Sequence, residues 1–122
     1  MDIRKLAVIV AGSMLLVGIF VALRDRAGMG TSPAATTSIQ VRVRDGSVVG
    51  GVRRVSVRTG QRVVIVVNAP GRDRVHVHGY DRFAHLEPGS PARLEFAARV
   101  AGSFDVELEE RRVLLVRLEV RP

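Results

Sequence analysis

Residues 55–70, VSVRTGQRVVIVVNAP, hold the pattern that decides the fold of this 122-residue chain. The first residues alternate between valine and polar side chains, Thr59 and Gly60 give a turn signal, and a continuous apolar run follows at 63–67. Alternation predicts a strand with one buried face, whereas an unbroken run of β-branched residues predicts a central strand that is buried on both faces. The segment therefore predicts two strands of an all-β domain.

The same period of two continues on both sides of this segment. Before it, Ile39, Val41 and Val43 alternate with polar residues, and after it residues 81–92, DRFAHLEPGSPA, are predicted as a loop because they contain two prolines and a glycine. About seven short strands with regular turn signals predict a β-sandwich. The inward residues predicted for the later strands are Leu94, Phe96, Phe104, Val106, Leu108, Leu114, Val116, Leu118 and Val120.

The N-terminal segment is of a different kind. Residues 6–23, LAVIVAGSMLLVGIFVAL, carry no charge and are long enough to span a bilayer, so residues 1–26 are predicted as a transmembrane anchor. A cleaved signal peptide is the alternative. Residues 27–38 read as a flexible linker and 39–122 as the sandwich. The short N-terminal tail favours staying inside, so we expect a single-pass cell-membrane protein with an extracytoplasmic domain.

Composition excludes several kinds of chemistry. The chain contains no cysteine, so it has no disulfide, no thiolate nucleophile and no thiolate ligand for zinc or copper. Its net charge is +7, and residues 42–62 carry six arginines against the single Asp45, a density that attracts anionic lipid headgroups. Nucleic acid is not an expected partner, because only 4% of the residues are aromatic and stacking platforms for bases are scarce.

All three histidines of the chain lie within residues 72–85, RDRVHVHGYDRFAH. Because successive side chains of a strand point to opposite faces, His76 and His78 are predicted to share one face of a strand. The first hypothesis is a divalent metal site, such as one for Cu(II), formed by His76 and His78 with His85. Glu87 or Asp81 could complete its ligands.

Two other hypotheses explain the same residues. In one, the histidine face recognises a partner or a small ligand, with Tyr80, Asp81 and Phe83 supplying the contact surface. In the other, His76 and His78 only line a sheet face. The acidic residues that alternate farther along the chain are interpreted as the solvated face of a strand; they are Asp105, Glu107 and Glu109.

Residues 39–122 resemble the cupredoxin family, the Greek-key β-sandwich of blue-copper proteins and of the copper-binding subunit of haem-copper oxidases. The resemblance rests on VSVRTGQRVVIVVNAP, DRVHVH, PGSPARLEFAARVAGSFDVEL and the closing VLLVRLEVRP. It implies a copper site made by one histidine and by a Cys, His and Met on the loop between the last two strands. His76 matches the first histidine in this comparison, whereas Leu108 and Glu109 stand where the thiolate would be, and EERR predicts a tight hairpin.

The resemblance therefore implies the fold without the type 1 copper chemistry. We expect a non-enzymatic, membrane-anchored binding or accessory module that requires no cofactor and whose partner is another membrane or extracytoplasmic protein. The alternative is a copper-binding or copper-handling protein that uses His76 and His78. An enzyme is not expected, because the sequence contains neither a cofactor motif nor an activated nucleophile.

Overall fold

The computed structural model describes residues 33–122, and the strands of this part number nine. They are β1 Thr36–Arg44, β2 Ser47–Val48, β3 Arg53–Arg58, β4 Arg62–Asn68, β5 Asp73–Val77, β6 Arg82–Leu86, β7 Ala92–Ala97, β8 Gly102–Leu108 and β9 Val113–Arg121. Strand β1 begins three residues before the predicted boundary at Ile39. Within residues 33–122 no helix is long and apolar enough to cross a membrane. The predicted anchor at 1–26 lies outside the described residues.

The strands form two mixed sheets. One has four strands in the order β2-β1-β4-β7, and the other has five in the order β3-β9-β8-β5-β6. Two pairs are parallel, β1 with β4 and β3 with β9, and the remaining pairs are antiparallel. The all-β prediction is confirmed for the described part of the chain.

The core lies between the inner faces of the two sheets. Strand β4 lies between β1 and β7, as the apolar run at 63–67 predicts, and Val63 and Ile65 are completely buried. From the other sheet, Val75 and Val77 of β5 and the alternate residues of β8 and β9 pack against this strand. Burial of these apolar side chains, each of which stabilises the fold by about 1.5–3 kcal/mol, must hold together a domain without disulfides.

The loop prediction for residues 81–92 is wrong for its first half, where β6 pairs with β5. Only Leu86 of this edge strand is fully buried, so the strand has little apolar alternation to reveal it. The turn at 78–81 sets the pairing instead, with Gly79 and Asp81 at positive φ. This strand carries two of the predicted site residues, Phe83 and His85.

The predicted inward position of Leu114 is also wrong. Between β8 and β9 the register shifts, so that Val106 pairs with Val116 while Glu107 pairs with Leu114. The intervening Leu115 is the extra residue of a bulge and is buried, whereas Leu114 is only half-buried. The bulge adjoins the acidic row of β8, which forms part of the candidate site.

A glycine substitution tests the turn between β5 and β6. A Cβ at Gly79 would lie 2.6 Å from Phe104 Cδ1. The φ of Gly79 is +84°, a backbone conformation that residues with a side chain rarely adopt. Gly60 has a similar φ of +90° with open space around it. We expect Gly60→Ala to cost about 1–2 kcal/mol of unfolding free energy through the backbone alone. Gly79→Ala should cost about 1–3 kcal/mol more through overpacking. Urea denaturation measures both, and equal costs would contradict the clash.

Candidate metal centre

His76 of β5 and His78, which follows the strand, lie on the outer face of the five-stranded sheet. Val75 and Val77 are fully buried in the core, so the alternate residue His76 points away from it, as the period of two predicts. His78 follows the strand directly and stays in the sheet, because its backbone N–H donates to the carbonyl of Asp105 at 3.0 Å. The two imidazole rings lie side by side with their centroids 4.3 Å apart.

Strand β8 contributes a carboxylate to the same place. Glu107 is directly opposite His76 in the antiparallel pairing, and its Oε1 accepts a hydrogen bond of 2.5 Å from His78 Nε2. One ligand atom from each of these three residues lies within 4.8 Å of the others. Two neighbouring ligands lie about 2.8 Å apart on a square-planar metal and about 3.4 Å apart on a tetrahedral one. The Glu107 and His78 atoms, which are 2.5 Å apart, must therefore separate by about 0.3–0.9 Å to hold an ion.

The side chain of His76 is the least satisfied polar group of the described residues. Both ring nitrogens are buried, and neither has a hydrogen-bond partner within residues 33–122. Phe83 covers the ring in a nearly parallel stack, with centroids 4.1 Å apart and 10° between the planes. Leaving a buried polar group unpaired costs about 1–3 kcal/mol, and coordination of an ion by a ring nitrogen would offset part of that cost.

Neighbouring charges distinguish Glu107 from Glu109, the acidic residue that follows the end of β8. Arg74 donates from Nε to Glu109 Oε2 at 2.5 Å, and its guanidinium carbon lies 4.6 Å from the centre of the Phe83 ring. This hydrogen bond holds the pKa of Glu109 below its ordinary value and raises the pKa of Arg74. Because Arg74 engages Glu109, Glu107 is the carboxylate that faces the histidines. A surface groove beside His78 and Glu107 gives an ion a path of entry.

The other residues predicted to complete a metal site lie elsewhere. His85, on β6, pairs with Arg74 of β5, and its ring is not among the side chains that converge with Glu107. Glu87 pairs with Arg72 at 3.1 Å, and Asp81 is an exposed residue of the turn at 78–81. The structure thus brings together His76 and His78 and joins them to Glu107, which the sequence pattern placed on an ordinary solvated face.

The predicted contact surface of Tyr80, Asp81 and Phe83 is divided between two places. Tyr80 packs against Phe104, and its hydroxyl donates to the carbonyl of Val100 at 2.7 Å and accepts from the Val100 N–H at 3.0 Å. These hydrogen bonds of Tyr80 attach the β7–β8 connection to the turn at 78–81. Phe83 alone lies on the histidine face, where its side chain is 43% exposed.

The residues at the other end of β5 do not fit a type 1 copper site. The connection between β8 and β9, residues 109–112, is the predicted tight hairpin and contains no histidine, cysteine or methionine. Its contact on β5 is the buried Asp73, which accepts hydrogen bonds from the backbone N–H groups of Glu110 and Arg111 at 2.9 and 3.3 Å. His76 lies three residues, about 10 Å, farther along the strand. The match of His76 to the family's first ligand stays a prediction.

No protein-family model and no curated protein sequence matches the chain. Solved structures with the same fold do match. The chain is similar to a chain of a heme-copper terminal oxidase dimer, with 16% identity, a TM-score of 0.55, and coverage of 98% of this chain and 100% of that one.

Two smaller proteins give the same result. A copper binding protein in its apo form has 16% identity and a TM-score of 0.54, with 71% of this chain and 89% of that chain covered. Auracyanin A, a "blue" copper protein from the green thermophilic photosynthetic bacterium Chloroflexus aurantiacus, has 12% identity and a TM-score of 0.53, with 71% and 100% covered. The chain therefore has a cupredoxin-like fold, and its lack of cysteine is consistent with a lost cysteine ligand.

Proposed function

We propose that this protein is a non-enzymatic, membrane-anchored extracytoplasmic module that binds a copper ion through His76, His78 and Glu107. The observation that carries the proposal is the convergence of these three side chains, in which both nitrogens of His76 lack any other partner within residues 33–122. The site is built across two neighbouring strands of a rigid sheet, which keeps its ligands close together without a loop.

The donor set favours Cu(II) over Cu(I). Two imidazoles and one carboxylate are borderline and hard ligands, whereas Cu(I) prefers the thiolates and thioethers that this face lacks. Among divalent first-row metals, nitrogen and oxygen sites bind Cu(II) most tightly. The names of the structural neighbours, a copper binding protein and a "blue" copper protein among them, support copper as the metal.

The remaining parts of the proposal concern the setting of the site. The segment at 1–26 holds the domain at the membrane, and the protein acts as an accessory that presents or sequesters copper for another membrane or extracytoplasmic protein. It has no role in nucleic acid binding. No cysteine is available to form a thiolate-tuned electron-transfer centre, so binding is the function that we propose.

A second candidate function is recognition of a partner through the same face. The observation that favours it is Phe83, an exposed aromatic ring held between His76 and the guanidinium of Arg74. Aromatic residues of this kind are enriched at the energetically important centres of protein interfaces. Under this hypothesis the face binds a protein without requiring a metal.

Calorimetric titration of the full-length protein in detergent with Cu(II) tests the proposal. We expect saturable binding of one ion per chain, with Zn(II) binding more weakly. Electron paramagnetic resonance of the copper complex should show coupling to two ligand nitrogens. Absence of saturable binding by the folded protein would contradict the metal site and leave the recognition face as the stronger candidate.

A further inference from the structure

We propose that a basic tip at one end of the sandwich docks onto a bilayer surface rich in anionic lipids. The basic tip consists of the arginines and exposed valines around the β2–β3 connection, namely Arg42, Arg44, Val49, Val52 and Arg53. These residues are separate from the histidine face, so the inference does not rest on metal binding.

The β2–β3 connection presents apolar side chains to solvent. It turns sharply, with the N–H of Gly51 donating to the carbonyl of Val48 at 3.0 Å. Val49 and Val52 on the two sides of this turn are 55% and 49% exposed. A single exposed valine needs no explanation, but two in one turn form a small apolar tip that can enter the boundary between headgroups and acyl chains.

Unpaired positive charge surrounds these valines. Arg42, Arg44 and Arg53 form no salt bridge within residues 33–122, where Asp45 is the nearest acid in sequence. Eight other arginines of the described residues have carboxylate partners, namely Arg54, Arg62, Arg72, Arg74, Arg93, Arg111, Arg117 and Arg121. The remaining four also lack one but lie away from the β2–β3 connection; they are Arg58, Arg82, Arg99 and Arg112. Three guanidinium groups without a carboxylate partner beside one exposed apolar turn point to an external anion.

The arginines are held next to the apolar tip. The N–H of Val49 donates to the carbonyl of Arg42 at 2.8 Å, and the guanidinium of Arg53 donates to the carbonyl of Gln40 at 2.6 Å. Arg42, Val49 and Arg53 line one groove. Cations beside a shallow apolar group are the combination by which peripheral segments bind anionic membranes, and each arginine near the surface strengthens binding about fivefold.

The experiment places a fluorescent label at the tip of the full-length protein. Because the chain has no cysteine, Val49→Cys gives a single labelling site. Val100→Cys is the matched control, since Val100 is also 55% exposed but lies in the β7–β8 connection at the opposite end of the sandwich, where β1 begins. Each labelled protein is reconstituted into phosphatidylcholine vesicles with or without about 30 mol% phosphatidylglycerol, whose negative headgroups attract arginine. Spin-labelled headgroups report contact by quenching.

We expect quenching at position 49 that is strong only with phosphatidylglycerol, whereas quenching at position 100 should not increase with phosphatidylglycerol. Arg42→Gln with Arg53→Gln should weaken the bound state about 25-fold, and raising the salt concentration should release the tip. An equal response of both positions to phosphatidylglycerol, quenching at position 49 that does not depend on lipid charge, or no quenching at position 49 would overturn the proposal. In the last case a protein would be the better candidate for the partner of the tip.

Discussion

His76→Ala is expected to lower the affinity of the protein for Cu(II) by at least about 100-fold. Replacement of outer-shell partners of a metal site costs 10–100-fold in affinity, and loss of a ligand should cost at least as much. His76 is the more informative of the two histidines, because its nitrogens are buried and unpaired within the described residues, whereas His78 already donates to Glu107. Calorimetric titration with Cu(II) measures the change.

Two variants make this test specific. His85→Ala removes a histidine of the same strand pair that lies outside the group of ligand atoms, so its affinity should stay within about twofold of the parent protein. Glu107→Gln keeps the shape of the side chain but removes its charge, and we expect about a tenfold loss. A protein whose affinity depends on His85 as much as on His76 would contradict the site. Urea denaturation of each variant checks that the fold is retained.

The sequence predicts two of the three residues of this site, His76 and His78, for a simple reason. Placing His76 and His78 on one face requires only the period of a strand, which is local. Adding Glu107 requires the knowledge that β8 lies beside β5 and that Glu107 stands opposite His76. That register joins residues that are distant in sequence, so no local period of two contains it. His85 was the nearest alternative along the chain, but closeness in sequence did not bring it to the site.

The fold was predictable where burial dictates the pattern. The run at 63–67 predicts a central strand, and β4 lies between two neighbours with Val63 and Ile65 completely buried. Strand β6 was missed because it is an edge strand with Leu86 as its one fully buried residue, so apolar alternation could not reveal it. The burial of Asp73 is not predictable from the sequence for a related reason. Its hydrogen-bond partners Glu110 and Arg111 are distant from it in sequence.

Asp73→Ala is expected to destabilise the domain by about 3–5 kcal/mol, because it removes a fully buried carboxylate together with its ion pair and its hydrogen bonds to the backbone. The Asp73 side chain has no exposed surface and lies 3.4 Å from Arg111 Nε. It also accepts hydrogen bonds from the backbone of Arg74 and Glu110 at 2.7 and 2.9 Å. Its loss leaves these backbone donors without their acceptor in a place that water reaches poorly, whereas the guanidinium of Arg111 still donates to the carbonyls of Pro70 and Arg72. The free energy of unfolding in urea measures the cost.

The amide variant and a surface pair separate charge from hydrogen bonding. Asp73→Asn keeps one acceptor oxygen, so we expect a smaller loss of about 1–3 kcal/mol, which remains measurable if the alanine variant fails to fold. Arg72→Ala breaks the exposed pair with Glu87, whose side chains are 78% and 56% exposed, and should change stability by at most about 1 kcal/mol. If Asp73→Asn cost no more than Arg72→Ala, the carboxylate would not be what holds the β8–β9 hairpin to β5. The family resemblance implies copper ligands beside this hairpin. In this chain the carboxylate of Asp73 lies there, and its hydrogen bonds and ion pair with the hairpin already occupy it, so we interpret this contact as structural.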